Sequence, residues 1–327
     1  MSHLNQRLGV SLARLGFAAF AWLGTALCCF VASPASAASA QRDRVFVASY
    51  GSDSNPCTFG SPCKTFQQAV NVVADSGEVT AIDSAGFGPI LIQKSVAITS
   101  PVGVEAGITA PAGQSAIVVD GTNYNTQVTL RGLTLEGSNV ANYGVYVDDA
   151  SVVQIIDCTI RDFMLDGVHL LAAPDVQNFG IALVVTNSNI LNNAQKGIYV
   201  GQDSGEFKQY CYFDLSGLTI EDNNTDGVFV DSGCGGALRD SFVSNGNRGV
   251  VAQGTSSLGS FIYLGNVTLN NSTADVFQYN YTEVDMSGVN AILSTNSGTP
   301  LNDIVTATDF TNHITISNIP ISTFSRH

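Results

Sequence analysis

The sequence predicts an all-β coiled solenoid, and three observations carry that prediction. A two-part unit recurs between about Leu130 and Phe277: a short apolar strand, then a glycine followed by an apolar–x–apolar triplet. The glycines Gly144, Gly167, Gly197, Gly227 and Gly249 step by 23, 30, 30 and 22 residues. No helical period runs through this stretch. A repeat of that length built of strands and turns signals stacked coils, each burying its apolar side on the next.

The elements follow in order. Residues 1–40 read as a secretory signal peptide: Arg7 and Arg14 precede the apolar run Phe17 to Val31, and small-x-small sites follow at Ala35-Ser36-Ala37 and Ala38-Ser39-Ala40. The rival reading is an uncleaved anchor. No later stretch approaches the ~20 apolar residues a span needs, so no stable membrane insertion is expected after cleavage. Residues 41–327 read as one domain, with repeats clearest at 128–280 and an irregular closure at 281–327.

Arg44 to Ala48 reads as a first strand. A Pro/Gly-rich loop from Gly51 to Pro62 follows. Lys64 to Ala74 places Phe66, Ala69, Val70 and Val73 at helical spacing. A short helix there would cover the open end of the solenoid, whose bare strand edges would otherwise invite pairing. Strands resume at Val79 to Ile82, Ile90 to Ile92, Val96 to Ile98, Ala116 to Val119 and Val128 to Leu135, with turns at Gly86 to Pro89 and Pro101 to Gly103.

Within the repeats the first strands are Leu133–Leu135, Cys158–Ile160, Ser188–Ile190, Leu218–Ile220, Ser241–Val243 and Val267–Leu269. The triplets follow Gly144, Gly167, Gly197, Gly227 and Gly249, with a degenerate sixth at Asp275-Val276-Phe277. Alternation turns Val145/Val147, Val168/Leu170, Ile198/Val200 and Val228/Val230 inward as aliphatic ladders. Asp162, Asn192, Asp222, Asn245 and Asn271 recur two residues past each first strand. They suit a tight corner, because Asn and Asp tolerate left-handed backbone.

The cysteines fit export. Outside the leader there are five: Cys57, Cys63, Cys158, Cys211 and Cys234. Cys57 and Cys63 bracket the first loop and read as a disulfide. Cys211 and Cys234 lie 23 residues apart, close to one coil, and could bridge stacked neighbours. Cys158 is left as a buried thiol. No Cys-x-x-Cys or His-rich spacing suggests a metal.

The net charge is −14, and losing Arg7 and Arg14 with the leader takes it to −16. An acidic chain with no basic cluster is a poor partner for nucleic acid or anionic membrane. A polysaccharide or cell-surface glycan remains open as partner.

At this point the chain resembles a family. It is similar to the right-handed parallel β-helix proteins of the pectate-lyase-like superfamily. More narrowly it resembles a group of exported bacterial proteins. These share Phe46-Val47-Ala48, Asn55-Pro56-Cys57, Ser61-Pro62-Cys63-Lys64-Thr65-Phe66, Gly86-Phe87-Gly88-Pro89 and Ile92-Gln93-Lys94-Ser95. The resemblance covers nearly all of residues 44–280. It implies a single-stranded right-handed parallel β-helix with a short N-terminal capping helix. The narrower group implies no particular activity.

Two columns of side chains carry the functional expectations. The outward position after each glycine is Tyr146, His169, Tyr199, Phe229 and Val251. Strands ~4.8 Å apart would line these rings up as a stripe, of the kind that stacks on sugar faces. The alternative is that the stripe packs under the long turns at Ala172 to Gly180 or Gln202 to Tyr210. The position before each glycine is Tyr143, Asp166, Lys196, Asp226 and Arg248. Alternating charge there reads as a stacking ladder worth ~0.2–1 kcal/mol per pair.

The catalytic reading of the same column makes Asp166 and Asp226 an acid and a base. They would lie roughly 9.6 Å apart at the backbone, with Lys196, Arg248 or His169 beside them. The superfamily's own catalytic motifs are missing: there is no Asp-Asp pair before a glycine strand, no Gly-His-Gly and no Arg-x-Lys. A calcium-dependent lyase would need clustered carboxylates from Asp148, Asp149, Asp175, Glu221, Asp222 and Asp231. Asp148 and Asp231 share a column but sit three coils apart. No cofactor is expected; Ca²⁺ enters only under the lyase alternative. No Gly-x-Ser-x-Gly elbow accompanies His169 or His313. The favoured reading is an exported β-helix that binds polysaccharide or a surface partner along the aromatic stripe. A polysaccharide lyase or an inverting glycoside hydrolase is the alternative.

Overall fold

The computed structural model describes residues 42–121, 125–172, 180–202, 210–255, 258–271, 273–279, 282–287, 290–291, 304–306 and 313–317. The expected leader at 1–40 and the centres of the two long turns lie outside the described residues, as does Asp175.

Each central coil contains three strands where the sequence pattern marks two. Sheet 1 holds Val152–Ile156, Ile181–Thr186, Cys211–Ser216, Cys234–Arg239 and Ser260–Gly265. Sheet 2 holds the expected first strands, among them Thr159–Arg161, Asn189–Leu191 and Thr219–Glu221. Sheet 3 holds the glycine strands Val145–Asp149, Val168–Ala172, Ile198–Gln202, Asp226–Val230 and Arg248–Ala252. Among the described residues the three sheets contain 11, 9 and 9 strands. The path runs sheet 1, sheet 2, sheet 3 and back, with every named strand pair parallel. The architecture is a right-handed parallel β-helix.

The central strands of sheet 1 share no leading residue: Val152 follows Ser151 and Cys211 follows Tyr210, whereas Ile181, Cys234 and Ser260 follow glycines, so no common signature marks them. Val128 to Leu135, read as one strand, is split at Gly132, whose φ of +69° turns the chain from Gln127–Arg131 into Leu133–Glu136. The same corner recurs at Asp157, Asn187, Gly217, Asp240 and Asn266, all left-handed with φ between 49° and 66°. These residue types supply that conformation at least cost.

The expected corner column of Asp162, Asn192, Asp222, Asn245 and Asn271 proves to be two columns. Asp162, Asn192 and Asp222 are left-handed at φ 63°, 54° and 54°. Asn245 and Asn271 instead continue a buried ladder through Asn193 and Asn223. Asn245 Oδ1 accepts the Asn223 backbone N–H at 3.1 Å, and Asn271 Oδ1 accepts that of Asn245 at 2.9 Å. From Asp222 onward the coil shortens by one residue at this corner, so the Asn stays inside while the left-handed residue disappears. Each ladder Asn satisfies buried N–H groups that the tight turn leaves without strand partners.

The core is the inside of the coil. Val145, Val147, Val168, Leu170, Ile198, Val200, Val228 and Val230 are all fully buried. Their stacking supplies the main favourable term, at about 25 cal/mol per Å² of apolar surface. The expected helix spans Phe66–Val72, with Phe66, Ala69 and Val70 buried. Its N-cap Thr65 accepts from Gln68 N at 3.2 Å. Asp53 in the preceding loop accepts from the backbone N–H groups of Lys64 and Thr65. Phe66 packs on Phe87 at 4.9 Å, and its N–H reaches the Phe87 carbonyl. The N-terminal motifs thus build the cap of the solenoid.

Both disulfides form as expected: Cys57–Cys63 and Cys211–Cys234, with Cα–Cα distances of 4.6 and 4.5 Å. Cys211 and Cys234 are register partners on neighbouring coils. Cys158 is a buried free thiol. At the far end the described strands Thr282–Ser287, Asn290–Ala291, Ile304–Thr306 and His313–Ser317 extend the same three sheets. No described helix is long and apolar enough to cross a membrane.

Candidate functional site: the outer face of sheet 3

Register on sheet 3 brings the expected aromatic column together. Tyr146 pairs with His169, His169 with Tyr199, Tyr199 with Phe229 and Phe229 with Val251. The rings stack nearly parallel: Tyr146–His169 at 5.5 Å and 15°, His169–Tyr199 at 4.5 Å and 12°, Tyr199–Phe229 at 5.7 Å and 20°. Tyr143, from the column before the glycines, joins them at 4.7 Å from His169. Ring faces are therefore occupied by neighbouring rings, and the stripe turns edges and polar tips outward. That differs from a platform of open faces. The cause is the one-strand spacing, which puts ring centroids inside the 4.5–7 Å range where aromatics attract one another. Phe229 is only 8% exposed and backs Tyr199, while Val251 is fully buried.

Tyr199 is anchored at its tip. Its hydroxyl donates to Asp231 Oδ2 at 2.9 Å. The ring crosses Gly201, where a Cβ would fall 2.3 Å from the tyrosine oxygen. Burial first, then the Asp231 carboxylate, push the phenol pKa well above its usual value, so it stays a donor. Burial and nearby Asp166 push Tyr143 the same way.

The charged column does not alternate as a ladder of ion pairs. Asp166 is 2% exposed. Its Oδ2 meets His169 Nδ1 at 2.7 Å, and its Oδ1 accepts the Lys196 backbone N–H at 2.8 Å. Asp226 is 1% exposed and pairs bidentately with Arg248, Nε–Oδ1 2.6 Å and Nη2–Oδ2 3.0 Å. Arg248 also donates to Tyr279 Oη at 3.2 Å and lies 5.1 Å over the Phe277 ring. Lys196 lies between them in the column. Among the described residues its ammonium has no carboxylate within ion-pair distance. It lies 5.5 Å from the Tyr199 ring centre and 5.4 Å from that of Phe229.

This arrangement bears on the acid–base reading. Asp166 and Asp226 sit two coils apart as expected, but each is buried and held by its own partner. Neither faces a gap in which water and a glycosidic bond could sit between them. His169 lies beside Asp166 as expected, and their direct contact comes from within one coil, Asp166 reaching forward three residues at the corner. The other acids stay apart: Arg161 pairs with Glu136 at 2.9 Å, and Asp231 is taken by Tyr199 and Ser232. Among the described residues no three His, Cys, Asp or Glu side chains converge on a point that could hold a metal.

Comparison with known proteins agrees with the geometry. Residues 115–274 match the model of the right-handed β-helix region. The chain is a right-handed parallel β-helix protein. Among solved structures this β-helix is similar to pectate lyase Pel9A, at 14% identity and TM-score 0.54 over 84% of this chain and 80% of that one. It is equally similar to a rhamnogalacturonan lyase, at 15% identity and TM-score 0.54 over 84% and 85%. At these identities the likeness is one of fold, of the pectate-lyase-like kind. No curated protein matches the sequence.

Proposed function

We propose that this β-helix is an exported polysaccharide-binding protein that holds an acidic glycan along the edge of the sheet 3 stripe without turning it over. The observation that carries the proposal is Lys196. Its ammonium is the one charged head in the column that no described carboxylate engages, in a chain of net charge −14. It stands by the rings of Tyr199 and Phe229, at the end of the stripe that His169 and Tyr146 continue. A uronate carboxylate brought to Lys196 completes the pairing that Asp166 and Asp226 leave open. The burial and internal pairing of both those carboxylates support binding over acid–base chemistry. The two disulfides support export, since such bridges persist in oxidising compartments. The two solved neighbours are by name a pectate lyase and a rhamnogalacturonan lyase, which is in keeping with a glycan ligand.

The test is electrophoresis of the protein through native gels containing polygalacturonate or a neutral glucan, with reducing ends and unsaturated uronate followed in parallel. Retardation by the acidic polymer without product is the expected result. Lys196→Met should weaken it about tenfold, the loss of one charge-assisted contact, without lowering the melting temperature. Product formation would make the protein an enzyme and overturn the proposal, as would unchanged retardation of the variant.

A further inference from the structure

The outer face of sheet 1 carries a second aromatic column, with a gap in it. Ala182, Tyr212, Gly235, Phe261 and Glu283 are successive register partners there. Tyr212 is 58% exposed and Phe261 36% exposed, among the most open large apolar side chains described. Gly235 lies between them. A groove of about 520 Å³ opens over it, lined by Tyr210, Tyr212, Ser260 and Phe261 and by the Cys211–Cys234 bridge. That volume lies within the usual range for small-ligand sites.

Nothing in the backbone requires glycine at 235. Its φ is not in the left-handed region, and a Cβ would meet only Phe261, at an ordinary 3.5 Å. The neighbouring glycine is different: a Cβ on Gly236 would fall 2.0 Å from the Phe213 carbonyl oxygen. Gly236 is needed for packing, whereas Gly235 keeps a space open. Gly180 extends that space, since Tyr212 leans back to within 3.0 Å of where its Cβ would stand.

The stripe on sheet 3 shows what the gap can accept. There, rings one strand apart stack at 4.5–5.7 Å. Tyr212 and Phe261 are two strands apart, about 9.6 Å at the backbone. A six-membered ring seated over Gly235 would have an aromatic neighbour at stacking distance on each side. The chemistry of the lining narrows the choice. No charged residue lines the groove. The next outward partner below Phe261 is the exposed acid Glu283, which disfavours an acidic sugar. Ser260 alternates with Phe261 and turns its hydroxyl to the inside of the coil, so the polar group offered at the groove is the exposed Tyr210 phenol.

We propose that this groove is a binding slot for one neutral pyranose residue, held between Tyr212 and Phe261 over Gly235, with its hydroxyls reaching Tyr210. The slot lies on a different sheet from the acidic-glycan stripe and stands whether or not that stripe binds. The disulfide at Cys211 and Cys234 immediately precedes Tyr212 and Gly235 and fixes the register that sets the gap.

Titration calorimetry with gluco-, manno-, galacto- and xylo-configured neutral hexasaccharides tests this directly. At least one should bind the wild-type protein. Gly235→Leu fills the gap from a position with room for a Cβ, and should cost at least tenfold in affinity with an unchanged melting temperature. Tyr212→Ala, at an exposed position, should cost a similar factor and serves if the leucine variant does not fold. Failure of every hexasaccharide to bind, or full affinity in Gly235→Leu or Tyr212→Ala, would overturn the proposal. Retention of polygalacturonate in the same variants reports on the sheet 3 stripe separately.

Discussion

The two outer faces of the coil use the same residue types to opposite ends. On sheet 3 every position of the column from Tyr146 to Phe229 holds a ring, and the rings spend their faces on one another. On sheet 1 the middle position is Gly235, and the flanking rings of Tyr212 and Phe261 remain open. A strand spacing of ~4.8 Å makes a filled column a rigid wall and a column with one residue missing a slot. What distinguishes a closed stack from an open slot is thus the occupancy of the middle position rather than the number of aromatics. The charged edge teaches the same lesson: Asp226 and Arg248 close on each other, and Lys196 is left over.

The largest expected effect lies at the closed end of that edge. Arg248→Met strands the Asp226 carboxylate, 1% exposed, without its partner. Breaking a buried pair in this way costs about 3–5 kcal/mol, which should lower the melting temperature by about 6 °C or more. The double variant Asp226→Asn with Arg248→Met should recover most of the loss, because no buried charge remains. A melting temperature unmoved by the single change would show that the pair is solvated and the column freer than described.

The next effect separates two adjacent glycines on the gapped face. Gly236→Ala must displace the Phe213 carbonyl and should cost roughly 3 kcal/mol, at the upper end of overpacking penalties. Gly235→Ala should change stability by under about 0.5 kcal/mol, as surface changes do. Denaturant unfolding of the pair measures both. Equal costs would mean that Gly235 is also a packing glycine, and the slot would lose its rationale.

The smallest effect concerns the shared interior. Burial raises the Cys158 thiol pKa from 9.0 to about 11. The folded state then holds this proton where the unfolded chain releases it. The contribution to stability is complete below pH 9 and is lost as pH rises towards 11. Cys158→Ala should flatten that part of the stability profile, and a slope unchanged in the variant would assign it to other groups, Tyr199 first.

Much of this fold could be read from the chain because its determinants are periodic. The spacing of Gly144 to Gly249 gives the coil, alternation gives the inward Val and Ile ladders, and a 23-residue separation suggests the Cys211–Cys234 bridge. The column of Tyr146, His169, Tyr199 and Phe229 follows from the same arithmetic. Features that depend on a side chain's direction did not follow. Asp166 and Lys196 looked like ladder partners, yet Asp166 turns to His169 within its own coil. Asn245 looked like Asp222, yet a one-residue shortening moves it inside. The central strands of sheet 1 share no leading residue, so the Tyr212–Gly235–Phe261 column could not be aligned until register was known. A signal was present in Cys211-Tyr212-Phe213 and Cys234-Gly235-Gly236: two cysteines one coil apart set the residues after them side by side.

The most direct test of the two-face account is one native-gel experiment with the wild-type protein, Lys196→Met and Gly235→Leu, each run through polygalacturonate and through whichever neutral polysaccharide contains the binding hexasaccharide. The account predicts a crossed result: Lys196→Met loses retention only in the acidic gel, and Gly235→Leu only in the neutral one. Loss of both retentions in either variant, or of neither in both, would contradict it.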